Sequence, residues 1–83
     1  MDQYQIPVGW LSSEEGLIRQ FTFPSFNDAF AFIEAMVVVA ERLDHHPNIH
    51  WEFCQVKVVC KSHDVNKITR RDIALAESIN GMI

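Results

Sequence analysis

In Ile49-His50-Trp51-Glu52-Phe53-Cys54-Gln55-Val56-Lys57-Val58-Val59-Cys60-Lys61-Ser62 the apolar pattern has a period of two. Cys54, Val56, Val58 and Cys60 share one face, while Phe53, Gln55, Lys57 and Lys61 share the other. The stretch therefore reads as one long, half-buried strand whose apolar face is covered by helices. Cys54 and Cys60 are an even number of residues apart, so on such a strand both point the same way. At roughly 3.3 Å per residue they stand about 20 Å apart, too far for a disulfide. Buried thiols in a reducing cytoplasm fit them best.

Outward from that strand the period changes. Upstream, Phe26, Ala29, Phe30, Ile33, Met36, Val37, Ala40 and Leu43 recur at intervals of three and four, a buried stripe on a helix spanning about 26–44. Ser25 followed by Asp28 is an N-cap pattern. Pro47 disfavours helical geometry at His46, so the helix stops at the histidine pair. Further upstream, Trp10-Leu11, a turn over Ser12–Gly16 and the alternation from Leu17 to Phe23 predict a hairpin. The first eight residues read as a loose lead-in broken by Pro7. Downstream, a polar turn precedes a helix opened by Thr69-Arg70-Arg71-Asp72, with Ile73, Leu75, Ala76, Ile79 and Met82 as its stripe. The order β-β-α-β-α makes an α+β fold with an antiparallel sheet the simplest solution.

Composition narrows the function. At 83 residues this is one domain, read over residues 1–83. The 48% hydrophobic content is generous for that size, which favours a subunit interface. Residues 1–44 carry seven acids against two bases, and residues 45–83 four against five. An acidic chain without a basic stripe is a poor direct binder of nucleic acid. No apolar run reaches the roughly 20 residues that span a membrane, and no secretory leader is read at the start.

The chemistry concentrates in Glu41-Arg42-Leu43-Asp44-His45-His46-Pro47. Histidine both gives and takes protons near neutrality. Glu41 lies one helical turn from His45, where a carboxylate would favour the imidazolium. Ordinary roles compete: Asp44-His45 as a helix end, Asp72 as a helix cap, Phe53 and Trp51 as packing, Arg70 and Arg71 as solvated surface. A metal site is disfavoured because adjacent histidines do not easily turn both rings to one ion. Ser62-His63 lacks the surroundings of a catalytic serine.

Taken together, Glu41, three residues, His45-His46-Pro47, five residues, Phe53, nine residues, His63, eight residues and Asp72 resemble the spaced motif of the pterin-4a-carbinolamine dehydratases. Gly9-Trp10, the Phe21-Thr22-Phe23 strand and Ser25 to Phe30 are similar to the family too. The resemblance implies a four-stranded antiparallel sheet with helices on one face, dimers that pair into tetramers, and no metal or organic cofactor. It implies a helix ahead of Gly9-Trp10, where this sequence holds eight residues. The implied activity is dehydration of 4a-hydroxytetrahydrobiopterin, left by aromatic amino-acid hydroxylases, to quinonoid dihydropterin and water. His45, His46 and His63 would be catalytic, with His63 or His45 protonating the leaving hydroxyl and His46 orienting the ring. Glu41 would bind the pterin edge or tune a histidine, and Pro47 would hold the pair toward the substrate. Ser62 and Asp64 would flank His63 as pocket wall. Phe53 and Asp72 would support, Asp72 bracing His63 or the Arg70/Arg71 region. Some relatives are coactivators or enzyme-assembly factors, so a non-catalytic binding module is the alternative; retention of all three histidines favours the enzyme.

Overall fold

A computed structural model describes residues 4–83 of the chain. Its elements are β1 (Leu11–Ser13), β2 (Gly16–Thr22), α1 (Phe26–Leu43), β3 (Asn48–Glu52), β4 (Gln55–Cys60) and α2 (Arg70–Asn80). The strands form one antiparallel sheet in the order β1-β2-β4-β3. Leu17, Phe21, Val56, Val58 and Cys60 point from one face of it into a core completed by Ala29, Phe32, Met36 and Ala40 of α1 and Leu75, Ala76 and Ile79 of α2. Both helices thus cover the same face, which is the expected α+β architecture.

The stretch from Ile49 to Ser62 is not one strand. It folds back at Phe53-Cys54 into the β3–β4 hairpin, with Glu52 opposite Gln55 and Asn48 opposite Val59. Phe53 takes the left-handed backbone, φ 53°, that a two-residue turn needs and that glycine or asparagine usually supplies. With neither residue there, nothing in the sequence marked the turn. Cys54 sits half-buried in it, off any strand face, whereas Cys60 is buried in the core; both are free thiols.

The stripe of α1 is also rotated from the expected one. Ala29, Phe32, Met36 and Ala40 are buried, while Phe26, Phe30, Val37 and Leu43 are exposed. Phe26 and Phe30 instead stack on Trp51 of β3, at centroid distances of 4.4 and 6.0 Å. With apolar residues on nearly every side of this helix, periodicity alone could not select the buried face. Ser25 caps α1 as expected, accepting from the Asp28 N–H. At the other end Asp44 adopts the left-handed conformation, φ 52°, and its N–H bonds back to Glu41 O. In α2 the expected stripe holds, with Ile73 and Met82 packed against the core.

Two local features fix the sheet's ends. Gly16, at φ 130°, lies so close to the end of β4 that a Cβ would stand 2.4 Å from Cys60 O, so only glycine fits. The lead-in is tethered rather than loose where it is described: Trp10 N bonds Pro7 O, and Asn80 Nδ2 donates to Val8 O. Its first three residues lie outside the described part. No helix is long and apolar enough to cross a membrane among the described residues.

Candidate active site

Four chain segments converge at one end of the sheet. The register of β3 on β4 sets Asn48 opposite Val59, so the histidine pair just before β3 lies beside the residues just after β4. There the chain closes a small loop, with Ser62 and Lys67 bonding each other's backbone at 3.1 and 3.3 Å, and His63 and Asp64 ride on it. Thr69 then starts α2. Asp44, His45, His46, Lys61, His63, Asp64 and Arg71 line an open cavity of about 380 Å³ between these segments. His63 therefore shares its cavity with the histidine pair, a closure that the single-strand reading left open.

His45 is 9% exposed, and its Nε2 lies 2.6 Å from Oδ1 of fully buried Asp72. The other carboxylate oxygen, Oδ2, accepts from Ser62 Oγ at 2.7 Å and from the Thr69 N–H at 2.8 Å. Asp72, the third residue of α2, thus both closes a capping box with Thr69 and braces His45. It braces neither His63 nor the arginines, contrary to the expectation from the sequence. Glu41 is likewise not the partner of His45. The left-handed turn at Asp44 breaks the helical screw, so His45 swings inward and His46 outward. Glu41 Oε2 then meets His46 Nε2 at 2.6 Å, with side chains 71% and 56% exposed.

The remaining expected residues divide. Asp64 lines the cavity. Ser62 does not wall it; it is fully buried beneath it, holding Asp72. Glu41 and Pro47 flank the pair without lining the cavity. Phe53 is 71% exposed at the far tip of the hairpin, roughly 16 Å along β3 from the corner. Three residues were not expected in the lining: Asp44, Lys61 and Arg71. Arg71 Nη2 bonds Asp64 Oδ1 at 2.7 Å, and that hydrogen bond and the adjacent positive charge hold the Asp64 carboxyl below its ordinary range. Lys61 Nζ donates to Glu14 O of the β1–β2 turn. Asp64 and Arg71 become neighbours only because the loop closes at Ser62–Lys67, a pairing with no sequence signal. Burial, and then the nearby Asp72 charge, push the Cys60 thiol up to about 12, so it is no nucleophile.

Residues 2–82 match the family model described as pterin 4 alpha carbinolamine dehydratase, and the chain belongs to that family. Among its relatives, a protein of Nitrobacter winogradskyi provisionally named a pterin-4-alpha-carbinolamine dehydratase is 42% identical over 76 residues, covering 89% of this chain and 75% of the relative. One from Rhodopseudomonas palustris HaA2, with the same provisional name, is 41% identical over 77 residues, covering 90% and 76%. The crystal structure of a transcriptional coactivator/pterin dehydratase from Brucella melitensis superposes with a TM-score of 0.83 at 34% identity, covering 89% of this chain and 81% of that one. A pterin dehydratase-like RuBisCO assembly factor of the alpha-carboxysome, with TM-score 0.70 and 20% identity over 87% and 83% of the chains, shares the fold.

Proposed function

We propose that this protein dehydrates 4a-hydroxytetrahydrobiopterin to quinonoid dihydropterin and water by histidine acid–base catalysis, in the recycling of tetrahydrobiopterin. One observation carries the reading: in a chain of this family, His45, His46 and His63 surround a single cavity. The elimination needs a proton delivered to the 4a-hydroxyl and one removed from the neighbouring ring nitrogen, each catalysed transfer being worth about 10²–10⁴-fold. His63, exposed on its loop, delivers the first. His46, held by Glu41, orients the ring. Asp44 and Asp64 are acceptors for the N–H groups of the amino-pyrimidine edge. The reaction so written needs no metal or organic cofactor. The enzyme works in the cytoplasm beside an aromatic amino-acid hydroxylase, as a homodimer or homotetramer formed through exposed apolar surface such as Phe30, Val37 and Val38.

The test is the rate of carbinolamine dehydration by purified wild-type protein beside His46→Ala and His63→Ala. A rate well above the spontaneous one, falling on the order of 10²–10⁴-fold for His63→Ala and less for His46→Ala, is expected. No rate above background, or no loss in either variant, would sink the proposal. The exposed apolar surface also suits a binding module acting as coactivator or assembly factor. Co-purification with a large partner, undiminished when His45 and His46 are both alanine, would favour that second reading.

A further inference from the structure

We infer that a one-way chain of hydrogen bonds from the first turn of α2 fixes neutral His45 as the Nε2–H tautomer. Its Nδ1 then opens on the cavity as a proton acceptor, with Ser62, Thr69 and Asp72 as positioning residues. This rests on the reading of His45 as part of a pterin dehydratase site.

The direction of the chain follows from counting protons. The Arg71 N–H donates to Thr69 Oγ1 at 3.3 Å. Thr69 Oγ1 and Ser62 Oγ are 2.6 Å apart, and Ser62 Oγ is 2.7 Å from Asp72 Oδ2. Each hydroxyl owns a single proton. If Ser62 spent its proton on Thr69, its short contact with Asp72 would set two acceptors face to face. The Thr69 proton would then have only Asp72 Oδ2, at 3.5 Å. The consistent order is Arg71 N–H to Thr69, Thr69 to Ser62, Ser62 to Asp72. The Thr69 N–H also points at Oδ2, from 2.8 Å. Asp72 therefore stands among donors, and the group facing its Oδ1 at 2.6 Å, His45 Nε2, carries the proton.

The other ring nitrogen is left for the substrate. Among the described residues no buried side-chain nitrogen or oxygen lacks a partner, and the His45 bond runs through Nε2. Nδ1 is thus the atom by which this nearly buried ring reaches the cavity it lines. A tautomer locked this way takes a proton at Nδ1 and holds the resulting imidazolium against a carboxylate. In the dehydration, the ring N–H proton moves to His45 Nδ1 and that bond's electron pair forms the C=N bond to C4a. The C4a–O bond breaks, and the hydroxyl leaves as water with the proton from His63. Solvent then takes the proton from His45 and restores the one on His63. His45 is the base, not the acid.

The same chain dictates what Asp72→Asn does. The two close donors on the Oδ2 side keep the amide oxygen there, so the amide NH₂ faces Nε2, which must accept. The proton moves to Nδ1 and the acceptor is lost from the cavity. The experiment is ¹⁵N NMR of the His45 ring in its neutral form, with kcat and KM for the same proteins. Expected are Nε2–H in wild type, Nδ1–H in Asp72→Asn, and a kcat lowered on the order of 10²–10⁴-fold while KM changes less than about threefold. Nδ1–H in wild type, or Nε2–H retained in the folded variant, overturns the tautomer. A reversed tautomer with unchanged kcat overturns the acceptor role. Should Asp72→Asn not fold, the wild-type spectrum alone decides the tautomer. Full activity in His45→Ala would overturn the catalytic reading of His45 while leaving the tautomer assignment standing, so the two failures are distinguishable.

Discussion

His45 and His46 are adjacent, and each holds its Nε2 2.6 Å from a carboxylate oxygen. The contacts match in length and differ in surroundings. The His45 pair is 10% and 0% exposed at its side chains, against 56% and 71% for the His46 pair. A buried charge must be fully hydrogen-bonded, and removing its partners strands it without water. An exposed pair trades protein for water at little net gain. One left-handed residue, Asp44, assigns the two rings to these environments. Distance alone is therefore no guide to which contact organises the corner.

The sharpest way to break this contrast is Asp72→Ala. It removes the acceptor of Ser62, the Thr69 N–H and His45 together, along with half of a capping box. Three donors are left without their acceptor, so equilibrium urea unfolding is expected to show a loss of about 3–5 kcal/mol. A loss below about 1 kcal/mol would place the His45 pair with the surface kind.

Cys60 supplies a second probe of the same buried charge. Its thiol is raised from the ordinary 9.0 to about 12 by burial first and Asp72 second. A raised folded value means that the folded protein holds the thiol proton more tightly. That stability is complete below pH 9 and is lost as the unfolded thiol ionises, up to about pH 12. Wild type should lose up to about 1.4 kcal/mol per pH unit relative to Cys60→Ala across this window. In Asp72→Asn the window should narrow, because the second cause is gone. Parallel pH dependences for wild type and Cys60→Ala would contradict the assignment.

What the sequence disclosed follows the same divide between strong and weak local signals. The caps at Ser25 and Thr69, the stripe of α2 and the residues of the histidine corner were legible because each has a local physical signature. The β3–β4 turn was not, since Glu52-Phe53-Cys54-Gln55 lacks a turn residue and alternation continues through it. That miss hid the return of His63 to the pair, which depends on Asn48 standing opposite Val59. The partners of Glu41 and Asp72 were missed for a similar reason. Helical spacing placed Glu41 by His45, and only the turn at Asp44 redirects it to His46. The strain left at the turn is itself testable. A left-handed L-residue costs roughly 1–2 kcal/mol, so Phe53→Asn should stabilise the protein by about 1 kcal/mol in thermal or urea unfolding. A destabilised variant would mean that exposed Phe53 makes a compensating contact.

The smallest effect belongs to the rim. Glu41→Gln keeps the side chain's size and its capacity to hydrogen-bond His46 but removes the charge. Because both partners are mostly in water, the stability change should be about 0.5 kcal/mol or less. It should shrink further at about 1 M salt, where the Debye length is near 3 Å. Kinetically, a ring that His46 merely orients should tolerate the change with a few-fold rise in KM and little change in kcat. A fall in kcat as large as that expected for Asp72→Asn would mean that the exposed pair also carries a catalytic proton. The division of labour between the buried and the exposed histidine would then fail, although their contacts with Asp72 and Glu41 would be unchanged.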